Sequence, residues 1–230
     1  MRRLVRILGT LMIVVGVGFL GWAATVWQWQ DPFTLVVNRL EQRELSEAFD
    51  RRLDESGGVL AASTGTKDVG PSAVKWRRSS KRGDAVARLR IPSLGVDEIV
   101  VNGTDHDSLE RGPGRHLSTA MPGEGELVYV AGHRTTYGAP FSRIDRLKKG
   151  DRVFLDLPYG TFEYAITGHR IVPATQTSVL KSKGFEQLAL QACHPRFFAS
   201  QRWIAYATPV KVTPRGGAAF RPVESLAATA

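Results

Sequence analysis

Residues 153–167 read VFLDLPYGTFEYAIT. Val153, Phe154 and Leu155 form an apolar run that stops at Pro158-Tyr159-Gly160, and Phe162, Tyr164 and Ile166 then alternate with Glu163, Ala165 and Thr167. Period-two alternation marks a strand with one buried face, and two such runs across a Pro/Gly turn read as paired strands. The same grammar extends outward. Leu89 and Ile91 alternate with Arg88 and Arg90, and Ile99-Val100-Val101 ends at Asn102-Gly103. Leu127 to Ala131 is an apolar run of strand length; Leu188 to Cys193 and Arg202 to Ala207 are two more strands, and Val210-Lys211-Val212 reads as a last one. Short helices are predicted at Asp105–Arg111, stopped by Gly112-Pro113-Gly114, and at Pro140–Leu147, with Phe141, Ile144 and Leu147 on one face. Seven or eight short strands over roughly 130 residues predict an all-β domain, a closed barrel or a sandwich.

The chain around this domain is of a different kind. Residues 7–27, ILGTLMIVVGVGFLGWAATVW, contain no charge. As a helix they reach ~31 Å, the thickness of a hydrocarbon core. Arg2, Arg3 and Arg6 precede them and Asp31 is the first charge after them. The positive-inside bias therefore places a cytoplasmic tail at 1–6, a transmembrane signal anchor at 7–27 and the rest outside the cell. Trp22, Trp27 and Trp29 suit the far interface. The competing reading, a cleaved signal peptide, has an apolar region of about 7–15 residues. Asp31-Pro32 is a helix start, and Phe33, Val36, Val37, Leu40, Leu45, Ala48, Phe49 and Leu53 follow at broadly helical spacing, so 28–55 is read as a juxtamembrane helix. Residues 56–84 show no periodicity and read as a flexible basic linker. The domain then occupies 85–213, with a C-terminal tail at 214–230.

Of the 230 residues, 43% are hydrophobic, which excludes a chain disordered throughout. The formal charge of +9 sits in the N-terminal tail and in 67–90, not on one folded face, which disfavours nucleic acid as a partner. Lys75, Arg77, Arg78, Lys81 and Arg82 suit anionic lipid or wall polymer, or simply a solubilising linker. There is one cysteine, so no intramolecular disulfide or CxxC metal knuckle can form, and there is no HExxH pair; neither metal nor cofactor is expected.

That cysteine, Cys193, ends an apolar strand and is followed by His194-Pro195, which breaks the ladder. A strand end at a barrel rim meets both solvent and substrate. A thiol nucleophile needs a partner that generates or stabilises thiolate. His194 is poorly placed, because successive strand residues point to opposite faces. His106 and His169 read as surface residues, and His116 lies in a loop. His133 stands at another strand end, after Gly132, and is the best base. Arg202, nine residues past Cys193 at hairpin spacing, returns beside the thiol and can donate to a developing oxyanion.

Gly132-His133-Arg134-Thr135-Thr136-Tyr137-Gly138-Ala139-Pro140-Phe141, then Cys193-His194-Pro195, then Arg202, resembles the sortases, and most the class E housekeeping sortases of actinobacteria. The resemblance implies an eight-stranded β-barrel and His133, Cys193 and Arg202 as the catalytic trio. It implies a membrane-anchored cysteine transpeptidase that cleaves a Leu-Pro-x-Thr-Gly or Leu-Ala-x-Thr-Gly signal between Thr and Gly through a thioacyl intermediate. The expected partners are surface proteins bearing that C-terminal signal, an amine of a peptidoglycan precursor, and the cytoplasmic membrane. Substrate-side positions are expected at His116, Tyr137 and Ala192: sortases usually carry Thr-Leu-x-Thr where this chain has Ala189-Leu190-Gln191-Ala192, and class E members a tyrosine where it has His116. The alanine at 192 motivates an alternative, a catalytically impaired binding or scaffolding domain. A different Cys/His enzyme, such as an L,D-transpeptidase, ranks last, because Gln191-Ala192-Cys193 lacks its Ser-x-Gly-Cys pattern.

Overall fold

The structure is a computed structural model that describes residues 2–28, 32–61 and 69–222. Three helices, α1 (Arg2–Gln28), α2 (Pro32–Ala61) and α3 (Gly70–Ser79), precede a barrel. Its strands are β1 (Ala85–Ile91), β2 (Val96–Asn102), β3 (Gly114–Arg115), β4 (Leu127–Ala131), β5 (Arg152–Leu157), β6 (Gly160–Pro173), β7 (Gln187–His194) and β8 (Gln201–Pro214), with α4 (His106–Arg111) between β2 and β3. They close in the order β1-β2-β3-β4-β7-β8-β6-β5. Of the predicted barrel and sandwich, the barrel is what forms, and closure leaves no sheet edge exposed.

The stretch 153–167 sets the pattern. Val153, Leu155, Leu157, Phe162, Tyr164 and Ile166 are buried in the interior, and Leu155 pairs with Phe162 across the β5–β6 turn. Alternation gives the opposite sheet a second, outward apolar face. On β4, Val128 and Val130 point inward while Leu127, Tyr129 and Ala131 point outward; on β7, Leu188, Leu190 and Ala192 point inward and Ala189 outward. The outward set, with Val172 and Ile204, is covered by Leu109, Val179 and Leu180 from α4 and the β6–β7 loop. This second core is the floor of the candidate site.

Several elements differ from expectation. The strands read at 202–207 and 210–212 are one strand, because a bulge opposite Glu163/Tyr164 absorbs the irregularity at Pro209-Val210. β3, two residues long, carries no periodicity, yet it joins β2 in parallel to β4 antiparallel. The helix expected at Pro140–Leu147 is a run of tight turns ending in a single 3-10 turn at Ile144–Arg146; Phe141 and Ile144 are nevertheless buried together. Positive φ at Tyr137, Gly138 and Ala139 prevents a regular helix from starting earlier.

The flexible linker expected at 56–84 is corrected on its described residues. α2 runs on to Ala61, and α3 lies against the barrel. Pro71 opens α3, and Ser72, Ala73 and Trp76 bury one face. Trp76 donates its indole N–H to the Val86 carbonyl at 3.0 Å, under the Arg52 guanidinium at 4.1 Å from the ring centroid. One aromatic over ten residues makes no stripe, so pattern reading missed it. Two of the basic residues assigned to lipid or wall polymer are held by the domain: Arg77 pairs with Glu124 at 2.9 Å and Arg82 with Asp105 at 3.3 Å. Asp31, Trp29 and 62–68 lie outside the described residues, as does 223–230.

α2 packs along β1, β2 and α4. Leu45 and Phe49 are buried, the Gln42 amide bonds both the N–H and the carbonyl of Ile99, and Glu41 pairs with Arg111 at 3.0 Å. α1 is separate in character: its residues Arg2–Ala23 are long and apolar enough to cross a membrane, with exposed side chains.

Glu98, on β2 beside α2, has its carboxyl pushed up to about 7 by burial and then by the neighbouring Asp97 charge. A raised carboxyl pKa means that the fold holds the proton more tightly than the unfolded chain. The stability so gained is present below about 4.5 and is lost as pH rises through about 7. Arg39, Arg43 and Arg88 line the same cleft. Glu98→Gln is therefore expected to raise unfolding stability by about 1–3 kcal/mol at pH 8 and by nothing measurable at pH 4, read by denaturant titration at both.

Candidate active site

A cavity of about 260 Å³ opens on the outward face of β4, β7 and β8, walled by the β6–β7 loop. His133, Cys193 and Arg202 all line it. Each arrives from a strand end. Cys193 and Arg202 are direct partners in the β7–β8 register, as the nine-residue hairpin spacing predicts. Cys193 is partly exposed, so its thiol is reachable. Alternation explains the division of labour along β7: Gln191 and Cys193 face the cavity while Ala192 faces the barrel interior.

His133 follows β4. Gly132 continues the ladder by donating to the Gln191 carbonyl at 2.9 Å, and a Cβ at 132 would come within 2.7 Å of the Phe141 ring. Glycine is thus required where Phe141 closes over the strand end. The next turn also depends on glycine: Gly138 has φ +71°, and a Cβ there would stand 2.2 Å from Asn38 Oδ1 on α2. His133 Nε2 is buried and, among the described residues, without a hydrogen-bond partner. Its Nδ1 lies 3.5 Å from Thr136 Oγ1. Burial, reinforced by the nearby His106 and opposed by Glu110, holds the imidazole below its ordinary pKa, so the neutral ring is favoured in the resting site.

Arg202 is held from behind: Nη1 donates to the carbonyls of Ala199 at 2.6 Å and Gln201 at 2.9 Å. Among the described residues, Nε and Nη2 make no hydrogen bond, which leaves donors for a ligand in the cavity.

The expected substrate-side residues fare differently. His116 lines the cavity, its Nδ1 2.9 Å from Ser118 Oγ and its ring edge-on to Tyr129. Tyr137 does not line it; it stands against His133 with ring centroids 5.0 Å apart, and the Glu110 carboxylate holds its hydroxyl above the ordinary pKa. Ala192 is corrected outright: it is 0% exposed in the barrel core, so a hydroxyl at 192 would not reach a cavity ligand. The barrel wall and the loop around 171–186, where the sequence reading places a shielded groove, do line the cavity, through residues that reading does not name one by one. Tyr129 donates to Gln191 Oε1 at 3.3 Å, and Leu109, Val172, Val179 and Leu180 supply apolar surface. His106 is exposed, as expected of a surface residue, yet it pairs with Glu110 at 2.9 Å in the cluster behind His133. The base of the wall is pinned by Glu186, which accepts from Gly123 N at 2.9 Å and from the Tyr164 hydroxyl at 2.7 Å.

The arrangement has the parts of a thiol acyl-transfer site: a reachable sulfur, a base and a fixed cation around an apolar groove. Among the described residues no cluster of His, Cys, Asp or Glu is arranged to hold a metal ion.

Comparison with known proteins agrees. The family model for the sortase domain matches residues 89–210. Sortase D of Bacillus subtilis (strain 168) is 35% identical over 150 residues, 63% of this chain and 74% of the relative. Sortase SrtE1 of Streptomyces coelicolor is 32% identical over 155 residues, 60% of this chain but 44% of that longer protein. A Clostridium perfringens sortase D5 transpeptidase shares the fold at TM-score 0.60 and 24% identity, covering 74% of this chain and 98% of that one. Class D and class E relatives thus match at similar identity, so the class E resemblance is not singled out. The chain belongs to the sortase family of cysteine transpeptidases.

Proposed function

We propose that this chain is a membrane-anchored, extracellular transpeptidase that cuts a Leu-Pro-x-Thr-Gly or Leu-Ala-x-Thr-Gly signal between Thr and Gly and joins the threonine to a cell-wall amine. The observation that carries the reading is the convergence of Cys193, His133 and Arg202, from three strand ends, on one apolar cavity. The Cys193 sulfur attacks the threonine carbonyl as His133, entering as the neutral base that its burial favours, takes the thiol proton. The carbonyl electrons move onto oxygen, where the Arg202 guanidinium meets the charge. The oxyanion collapses, the C–N bond breaks, and His133 imidazolium returns the proton to the leaving glycine amine. An acceptor amine then attacks the thioester, His133 takes its proton, and the thiol is restored. The wall of Val179 and Leu180 suits a site that excludes water, which favours an amine over hydrolysis.

The span at Arg2–Ala23 with its N-terminal arginines supports the anchor, with the N-terminus cytoplasmic. Its partners on this reading are surface proteins with C-terminal sorting signals and a peptidoglycan-precursor amine. The Ala192 argument for a binding module loses its basis, since that side chain lies in the core.

The test is incubation of the full chain with each of the two peptides and a glycine-type amine, followed by intact and product mass spectrometry. A thioacyl adduct on Cys193 and an amine-ligated product are expected. A chain that forms neither with either peptide would overturn the assignment.

A further inference from the structure

We propose that Arg134 is a positioning residue that sets the approach of His133 to Cys193; this rests on the transpeptidase reading of the site. The β4–β7 ladder pairs Ala131 with Gln191 and ends with Gly132 N donating to the Gln191 carbonyl. It therefore stops one residue before His133 and two before Cys193. Beyond that point, among the described residues, the direct hydrogen-bonded link between the two strand ends is one guanidinium. Arg134 Nη1 donates to the carbonyl of Cys193 at 3.2 Å and to Nδ1 of His194 at 3.0 Å. Its Nη2 pairs with Asp145 Oδ2 at 3.0 Å, on the turn that carries the buried Ile144. Arg134 is 4% exposed, so the fork is held inside the protein and not on a mobile surface arm.

The chemistry of the fork matters. Arginine only donates, so His194 Nδ1 must accept, and the His194 ring is fixed as the Nε2–H tautomer. A planar guanidinium can hold acceptors on two sides at once, whereas a lysine ammonium is a point charge on a flexible stem. Because Arg134 adjoins His133 and bonds the backbone of Cys193, a shift in the fork moves both reacting groups relative to each other. A misplacement of about 1 Å costs on the order of 100-fold in rate.

Arg134→Lys in the full chain tests this. The expected result is a kcat for Leu-Ala-x-Thr-Gly or Leu-Pro-x-Thr-Gly cleavage lowered about 10- to 100-fold with KM within about threefold. The pH profile of Cys193 alkylation by iodoacetamide should also lose its His133-dependent limb and coincide with that of His133→Ala. A wild-type kcat and profile, or a loss confined to KM, would overturn the proposal. Should Arg134→Lys fail to fold, His194→Leu removes one acceptor of the fork without touching His133. It should lower kcat about three- to tenfold with the same profile change, and a wild-type kcat there overturns the proposal equally. A wild-type chain inert toward both peptides would count against the transpeptidase reading, while the alkylation profiles would still decide the role of Arg134.

Discussion

Cys193→Ala leaves no measurable thioacyl adduct and no ligated product. The chain holds one cysteine, so no other thiol can stand in for the nucleophile. The hydroxyls that line the cavity belong to Thr104 and Thr177, on connecting segments, and to Tyr129 on β4, a phenol already donating to Gln191 Oε1; none occupies the Cys193 position opposite Arg202. The substitution is nearly silent for the fold: the side chain is partly exposed, and its loss should cost less than about 1 kcal/mol. Equal melting temperatures and a null reaction therefore belong together. An active Cys193→Ala chain would end the proposed mechanism, since nothing else in the cavity can form the thioester.

Arg202→Ala comes second in size, lowering the rate of thioacyl formation by about 10²–10³, the usual loss for one oxyanion donor. The argument is geometric. Two of the guanidinium's bonds, to Ala199 O and Gln201 O, lock it to its own loop, and its remaining donors are the ones open to the cavity. A donor held in place before the charge forms needs no reorganisation when it does. The loss should appear in kcat, with KM changed little, because the neutral carbonyl of the bound peptide draws less on a cation than the oxyanion does. Single-turnover mass spectrometry at saturating peptide separates the two. A loss confined to KM would make Arg202 a binding residue.

Much of this site was legible. Cys193 and Arg202 are nine residues apart, and two strands joined by a short connection can hardly avoid bringing such residues side by side. Gly132 marked His133 as a strand end under close contact, and Phe141 is the contact. The illegible parts share a cause: they depend on where an isolated side chain is satisfied, which no periodicity encodes. Arg134 reads like any charged residue in a loop until Asp145, His194 and the Cys193 carbonyl are seen around it. Trp76 reads as a lone aromatic in a basic stretch until it meets the Val86 carbonyl. Ala192 is the instructive error, because the alternation that turned Cys193 outward also turned its neighbour inward.

Asn38 of the second helix lies against Gly138, three residues past the Thr135 that follows the fork, and Leu45, Phe49 and Trp76 cover the flank of the first strands. A recombinant fragment trimmed to begin at Ala85 would lose these four residues together. It would bare an oily scar on the wall and release the turn behind the imidazole, so α2 and α3 are better treated as part of the enzyme's body than as a leash.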